Sequence, residues 1–270
     1  MQKLLIFTDI HITSEGERII GLDPVARFAS ALDHALARHP DAARIVLTGD
    51  LTHHGSPDQY DRLRMVLAGC PLPISMMIGN HDHRATFRAG FPDVPVDDDG
   101  FVQSVINLDA YRLILLDTVD EGAPIAHSGL LCTKRMNWLE ARLNEVRDTP
   151  TLLFLHHPPM ATGFAGMDHI GLRNRADFAD RLRAHPQVRQ IVAGHVHRTI
   201  SGATGGIPTA IFKSPCHQMP MDLTDMDSHL SIDEPGAYGI ILLGEDGIVV
   251  HSEDVGLNTH TGRDGLEQHG

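Results

Sequence analysis

The chain has 270 residues, of which 42% are apolar and 21% are charged, and its formal net charge is −13 at pH 7. This composition supplies a buried core, and the length fits one α/β domain with additions, since such domains often reach about 250 residues. The acidic balance argues against a protein that binds nucleic acid polymers, because such binding requires lysine and arginine to neutralise phosphates.

The first eighty residues alternate between short apolar runs and segments with helical spacing. The apolar runs predict buried strands at residues 3–8, 43–48 and 73–78. Apolar residues at helical spacing predict a helix at 24–39, with Asp23 as its N-cap and Pro24 in its first turn, and a second helix at 57–68. This alternation is typical of parallel βαβ units.

The middle of the chain continues with both kinds of element. Further apolar runs predict strands at residues 102–107, 111–117, 151–155 and 188–193. Helical spacing predicts helices at 134–146 and 174–184. The predicted fold class is therefore α/β.

After Gly194 the pattern becomes rich in strands. Four are predicted, at residues 199–203, 207–212, 238–243 and 248–252. Gly205-Gly206 and Asp246-Gly247 would supply the hairpin turns. Residues 214–236 have no clear period, and we expect them to form an ordered loop, a cap or an oligomer contact. The domain would span residues 1–253, followed by a flexible tail over 254–270.

No apolar run approaches the ~18–20 residues of a transmembrane helix, and the apolar stretch at residues 4–7 ends at Asp9. We therefore expect no membrane association and no standard signal peptide. The three cysteines, Cys70, Cys132 and Cys216, have no metal-type spacing and fit free thiols in a reducing compartment. A cytoplasmic protein is the expectation.

Five of the predicted strands end directly in residues that can bind metals. These residues are Asp9, His11, Asp50, Asn80, His156, His195 and His197. Ligands gather at the carboxyl ends of strands in open α/β sheets, so we expect these side chains to converge. Carboxylate and amide oxygens with imidazole nitrogens suit two divalent cations, and no cysteine joins the motifs.

The spacing within the motifs supports convergence. Residues i and i+2 of an extended chain point to the same side, so the pair Asp9 and His11 can reach one metal region, as can His195 and His197. Any one of these motifs alone would be weak evidence, whereas five in one chain are not.

Taken together, the blocks Asp9-x-His11, Gly49-Asp50, Gly79-Asn80-His81-Asp82, His156 and Gly194-His195-x-His197 resemble the calcineurin-like binuclear metallophosphoesterases. The resemblance runs from residue 5 to about residue 200, in the family's order. Two further segments, Gly16-Glu17-Arg18 and the run Pro-Cys-His-Gln-Met-Pro at 215–220, resemble the branch of class III cyclic nucleotide phosphodiesterases and bacterial glycerophosphodiesterases.

The resemblance implies a four-layer αββα sandwich of two mixed β-sheets flanked by helices, with a small C-terminal elaboration. It also implies two divalent metal ions per chain, for which manganese, iron, zinc and cobalt are all candidates. The first ion would be held by Asp9, His11 and His197. The second would be held by Asn80, His156 and His195, and the carboxylate of Asp50 would bridge both.

The resemblance further implies hydrolysis by a metal-bridging hydroxide that attacks phosphorus. His81 would be the catalytic residue, either protonating the leaving oxygen or stabilising the transition-state charge. Asn80, His81 and His217 would contact the substrate. Asp82 is expected to orient a neighbour or cap a turn, and His157 to belong to a strand-end turn. His53 and His54 are expected to be exposed loop histidines, with a position facing the substrate as the alternative.

The function expected on these grounds is hydrolysis of small phosphodiesters, either glycerophosphodiesters or cyclic nucleotides. A phosphomonoesterase or a nuclease of the same superfamily is the alternative, and a non-catalytic scaffold is disfavoured because every ligand position is filled. The expected partners are a small-molecule diester and further copies of the chain in a homo-oligomer.

Overall fold

Residues 1–257 are described in a computed structural model, and they form eleven strands and six helices. The strands are β1 (Gln2–Phe7), β2 (Arg44–Thr48), β3 (Ile74–Met77), β4 (Ser104–Asn107), β5 (Arg112–Leu116), β6 (Thr151–Leu155), β7 (Val188–Ala193), β8 (Ile200–Thr204), β9 (Ile207–Ile211), β10 (Ala237–Gly244) and β11 (Gly247–Asp254). The helices are α1 (Pro24–Arg38), α2 (Pro57–Leu67), α3 (Arg84–Gly90), α4 (Thr133–Glu145), α5 (Ala165–His169) and α6 (Arg175–Leu182).

The strands form two mixed sheets. One has five strands in the order β11-β10-β1-β2-β3, with β1, β2 and β3 parallel and the C-terminal hairpin added antiparallel to β1. The other has six strands in the order β4-β5-β6-β7-β9-β8. Its centre, β5 to β7 and then β9, is parallel, and β4 and β8 are antiparallel edge strands.

Strand alternation divides the core into three layers. Leu4 and Ile6 of β1 point into the layer between the sheets, where they join Phe154 and other apolar residues of the second sheet. Leu5 and Phe7, which alternate with them, face α1, α2 and α3. The outer face of the second sheet packs in the same way against α4 and α6. Because residues i and i+2 share a face, each central strand is apolar on both sides, and the four-layer αββα prediction is confirmed.

Every predicted strand and helix is present, with ends that differ by at most two residues. The Asp23 side chain caps α1 by accepting a hydrogen bond from the Ala26 N–H at 3.1 Å, as predicted. The short helices α3 and α5 were not predicted, because seven and five residues are too few to establish a helical period.

The last strand ends one residue beyond the predicted end of the domain at residue 253. Strand β11 extends to Asp254, so residue 254 belongs to the sheet, and residues 258–270 of the predicted tail lie outside the described residues. Residues 214–236 form an irregular segment with one bridge, between Gln218 and Ile232. No helix in residues 1–257 combines the length and apolarity needed to cross a membrane.

Candidate metal centre

The candidate ligands meet where the ends of five strands approach one another. Strands β1, β2 and β3 come from the five-stranded sheet, and β6 and β7 come from the six-stranded sheet. The rule that ligands gather at the carboxyl ends of parallel strands therefore applies here to two stacked sheets at once. The site lies across the seam between them.

The backbone at this seam is unusual. Seven non-glycine residues of the described chain have a positive φ, a conformation that side chains other than glycine rarely adopt. Five of the seven are candidate ligands, namely Asp9, His11, Asp50, His195 and His197, with φ between 47° and 74°. Such strain is commonly found at functional sites. Here it turns each side chain out of its strand direction and into the shared site.

One group of side chains contains Asp9, His11 and His197. The Nε2 atoms of His11 and His197 lie 3.1 Å apart, and the Nε2 of His197 lies 3.4 Å from Oδ1 of Asp9. The Nδ1 of His197 donates to the backbone carbonyl of His217 at 3.0 Å, which leaves the lone pair of Nε2 directed at the group. This is the orientation that a metal ligand requires.

A second group contains Asn80, His156 and His195. The Oδ1 of Asn80 lies 3.1 Å from the Nε2 of His156, and the rings of His156 and His195 are 5.2 Å apart between centroids. The Nδ1 of His156 donates to the carbonyl of Thr48 at 3.0 Å, so its Nε2 again faces inward. The Nε2 of His195 is buried without any hydrogen-bond partner in residues 1–257. A buried imidazole nitrogen left in this state fits a metal ligand.

Asp50 lies between the two groups. Its Oδ2 is 3.2 Å from the Nε2 of His156 and 3.7 Å from the Nε2 of His11. Its Oδ1 accepts a hydrogen bond from the backbone N–H of His81 at 2.8 Å, which fixes the carboxylate plane. One side chain thus reaches both groups, as a bridging ligand must.

The electrostatics favour cations at this position. Burial opposes the charged form of His156, but the Asp50 carboxylate outweighs it and raises the pKa of His156 to about 9. Burial likewise opposes ionisation of Asp50, and the neighbouring His156 and His81 nevertheless hold its pKa well below the usual value. Burial and the nearby His81 lower the pKa of His11 well below its usual value. The group therefore combines an ionised Asp50 carboxylate and a neutral His11, the donor forms that metals bind, with a His156 that would release its proton when a metal takes its place.

Gly79 allows the turn after β3 to pass close to Asp50. A Cβ at Gly79 would overlap the Oδ1 and the backbone nitrogen of Asp50. Asp82, three residues on, is buried and its carboxylate accepts hydrogen bonds from the N–H groups of Gly79, Leu51 and Thr52 and from the Tyr60 hydroxyl. Asp82 thus ties the turn after β3 to the turn after β2, which matches the orienting role expected of it.

His81 is held rigidly beside the two groups. Its Nδ1 donates to the carbonyl of His53 at 2.9 Å, and its ring stacks on that of His53 with centroids 5.3 Å apart. The expectation that His53 is an exposed loop histidine is wrong, because its side chain is only partly exposed and its Nδ1 lies 3.3 Å from the Nδ1 of His11. His54 is exposed as expected.

A cavity of about 340 Å³ opens onto these residues. His217 lies in its wall with its ring centroid 5.2 Å from that of His11 and 4.6 Å from that of His197. Burial and the neighbouring His197 lower the pKa of His217 to about 2, so the ring is neutral. Its Nδ1 is buried and without a partner in the described chain. The structure thus places His217 where it can contact either a cation or a substrate.

Sequence reasoning missed two residues of the site, His127 and His157. His157 lies in the bend after β6, as expected, but it is fully buried. Both of its ring nitrogens are hydrogen-bonded, to Thr118 and to the His127 carbonyl, so neither is free for a metal. His127 itself reaches Asn80. Neither residue stands in a recognisable motif, and only tertiary structure brings them to the site.

Residues 2–199 match the model of one protein family, described as calcineurin-like phosphoesterase. The chain belongs to this family. Members hold divalent metals in a binuclear centre, and the groups around Asp9, Asp50 and His156 fit such a centre.

Two relatives and one solved structure extend the comparison. This calcineurin-like phosphoesterase is 41% identical, over 92% of its length and 91% of the relative's, to a probable cyclic nucleotide phosphodiesterase of Rhodopseudomonas palustris. It is 28% identical to a probable glycerophosphodiester phosphodiesterase of Arcobacter nitrofigilis, over 92% of each chain. Its fold is similar to that of a dimetal phosphatase from Danio rerio, with a TM-score of 0.71 at 15% identity, over 94% of this chain and 96% of that one.

If Asp50 bridges two metal ions, Asp50→Ala should leave fewer than two ions per chain, because the substitution removes the one ligand that both ions share. Elemental analysis after dialysis measures the content. Asp58→Ala, which removes an exposed carboxylate on α2, should retain two ions. Full metal content together with unchanged diester hydrolysis in Asp50→Ala would exclude the bridging assignment.

Proposed function

We propose that the chain is a metal-dependent phosphodiesterase that hydrolyses small phosphodiesters. The observation that carries this proposal is the Asp50 carboxylate, set between two groups of inward-facing imidazoles at the floor of one cavity. The names of the relatives, a cyclic nucleotide and a glycerophosphodiester phosphodiesterase, support the same reaction class.

Asp9, His11 and His197 would hold the first ion, Asn80, His156 and His195 the second, and Asp50 both. When bound, two divalent ions would polarise the phosphate and lower the pKa of a water enough to supply hydroxide near neutral pH. Oxygen and nitrogen donors of this kind accept manganese, iron, zinc or cobalt.

His81 would supply the proton for the leaving alcohol. Because its Nδ1–H is committed to the His53 carbonyl, the nitrogen available for proton transfer is Nε2. The ring lies in the cavity wall, stacked between His53 and His127 with centroids 5.3 and 5.2 Å away, so it cannot turn to present the other nitrogen. A protonated Nε2 would give its proton to the leaving oxygen as the ester bond breaks.

The charges of the cavity favour a diester over a monoester. In the described part of the chain no lysine or arginine lines the cavity, and Asp50 is its one carboxylate. Arg84, which is close in sequence, pairs instead with Asp117 and Glu121 at 2.8 and 2.7 Å. A diester carries a single negative charge. A monoester dianion would bring a second charge that no cationic side chain offsets.

Part of the cavity lining is apolar, and this apolar wall favours a nucleoside over a cationic head group. Ile19, Ile20, Met167, Ile170 and Leu230 line it. Choline or ethanolamine would be recognised by a carboxylate or an aromatic ring, and among residues 1–257 the cavity offers no aromatic Phe, Tyr or Trp and no acid besides Asp50. A flat heteroaromatic base can pack on this wall. Cyclic nucleotides are therefore the favoured class.

A homo-oligomer also stays a proposal. Met221, Leu223 and Met226, in the segment beside the cavity, are between 52% and 66% exposed. Met219 of the same segment is buried against Phe164 and Met167. The exposed methionines are consistent with a contact between copies.

The proposed reaction class is tested with the metal-loaded protein and a substrate panel. The value of kcat/KM should be higher for bis(p-nitrophenyl) phosphate than for p-nitrophenyl phosphate, because no lysine or arginine of the described residues lines the cavity to balance the second charge of the monoester. The panel adds 3′,5′-cyclic AMP, 2′,3′-cyclic AMP, glycerophosphocholine and glycerophosphoethanolamine. Faster turnover of the monoester would support the monoesterase alternative instead.

The role of His81 is tested by its dependence on the leaving group. His81→Ala should keep two metal ions but lose about 10²–10⁴-fold in kcat on diesters with alkoxide leaving groups. The loss should be smaller for p-nitrophenolate, which departs without a proton. His54→Ala, at an exposed neighbouring histidine, is the control. An equal loss for both leaving groups would point to charge stabilisation rather than proton donation.

The apolar wall is tested at Ile20, which is 51% exposed and has φ 47°. Ile20→Gly should raise KM for 3′,5′-cyclic AMP about fivefold, as expected for losing roughly 1 kcal/mol of apolar contact. KM for glycerophosphocholine should not change. The melting temperature should not fall, because glycine tolerates the left-handed backbone that costs isoleucine about 1–2 kcal/mol. Ile20→Val should behave as the parent. Equal effects on both substrates would contradict the nucleoside assignment.

A further inference from the structure

The side-chain amide of Asn80 is held in one of its two orientations by His127. The Nδ2 of Asn80 donates to the Nδ1 of His127 at 3.1 Å. The other end of the amide, Oδ1, is then turned towards the Nε2 of His156, 3.1 Å away. An amide can bind a metal only through its oxygen, since its nitrogen has no lone pair to give. The choice of orientation therefore decides whether Asn80 can be a ligand.

His127 can set the orientation of the Asn80 amide because its own backbone is held in place by His157. Its backbone carbonyl accepts a hydrogen bond from the Nε2 of His157 at 3.0 Å. The opposite nitrogen of His157, Nδ1, accepts from the hydroxyl of Thr118 at 2.7 Å. A carbonyl can only accept, so it places the His157 proton on Nε2. A continuous chain of hydrogen bonds thus runs from Thr118 through His157 to the backbone of His127, and from the ring of His127 to Asn80.

The loop around His127 is built to fit His157. His127 has φ 65°, and it and Ile20 are the two non-glycine residues of the described chain with a positive φ outside the ligand set. Two residues later, a Cβ at Gly129 would overlap the ring of His157, so only glycine permits the loop to pass this close. The N–H of Gly129 donates to the carbonyl of Gly171 at 3.2 Å, which anchors the loop on its far side.

We propose that His127 is a positioning residue that fixes the Asn80 amide with its oxygen facing the second metal. The inference rests on the proposed function, in which Asn80 belongs to the ligands of the second ion. His127 would act on the metal ligand Asn80 and not on the substrate. The sequence contained no motif for it, because the contact joins residues 47 positions apart.

A pair of variants separates the hydrogen bond from the bulk of the side chain. His127→Gln keeps an acceptor, the side-chain oxygen, that can receive the Asn80 N–H. His127→Leu has similar size but cannot accept a hydrogen bond. Both variants bear the same backbone cost at φ 65°, so a difference between them does not arise from strain. His54→Leu, at an exposed histidine, controls for the loss of an imidazole near the site.

The full-length proteins are dialysed against graded Mn²⁺ concentrations, and the metal bound per chain is counted by elemental analysis. His127→Leu should bind the first Mn²⁺ as the parent does and the second about 10–100-fold more weakly, the usual effect of removing a group that orients a ligand. His127→Gln should lie within about threefold of the parent for both ions. His54→Leu should be unchanged.

Three results would overturn the proposal. They are parent-like binding of the second Mn²⁺ by His127→Leu, equal weakening in His127→Gln and His127→Leu, or full Mn²⁺ binding with lost turnover in His127→Leu, which would move the residue to the substrate. Failure of the proposed function gives a different result, because the parent protein itself would then not bind two Mn²⁺ or would not hydrolyse diesters at any Mn²⁺ concentration.

Discussion

Two buried carboxylates, Asp9 and Asp50, lie at the centre of this fold without a lysine or arginine beside them. Within residues 1–257, the basic side chains within 4 Å of either one are histidines. Burying an uncompensated carboxylate is costly, so the arrangement is stable only with positive charge between the two. Protons on the histidines can supply part of that charge. Divalent cations supply more of it, and the surrounding structure serves to hold their ligands.

The need to hold ligands around these cations accounts for the positive φ values of the backbone at the site. Ligands must come from β1, β2 and β3 in one sheet and from β6 and β7 in the other. Side chains that leave a strand in the normal direction would point into the sheet faces, which are occupied by apolar core. At the ends of β1, β2 and β7, left-handed residues redirect the side chains into the seam, at a conformational cost of about 1–2 kcal/mol each. The hydrogen bonds of Asp82 and the tightly packed inter-sheet core offset this cost.

The sequence predicts the parts of the structure that are local. Apolar runs and helical spacing located every central strand and the long helices, and the ligand motifs stand directly after those strands. His53, His127 and His157 could not be found in this way. His53 acts through its backbone carbonyl, which the sequence does not distinguish from any other. His157 and His127 act through contacts with Thr118 and Asn80 that are distant along the chain. Periodicity and motifs carry no information about either kind of contact.

The charge of the whole molecule has a consequence for how fast a substrate arrives. The chain carries a formal charge of −13, and no cationic side chain of the described residues lines the cavity. An anionic diester therefore diffuses towards a surface that repels it until it is close to the bound cations. The Debye length shortens from about 30 Å at 0.01 M salt to about 8 Å at 0.15 M. Association would thus quicken as ionic strength rises, the reverse of an enzyme that draws its substrate in by electrostatic steering.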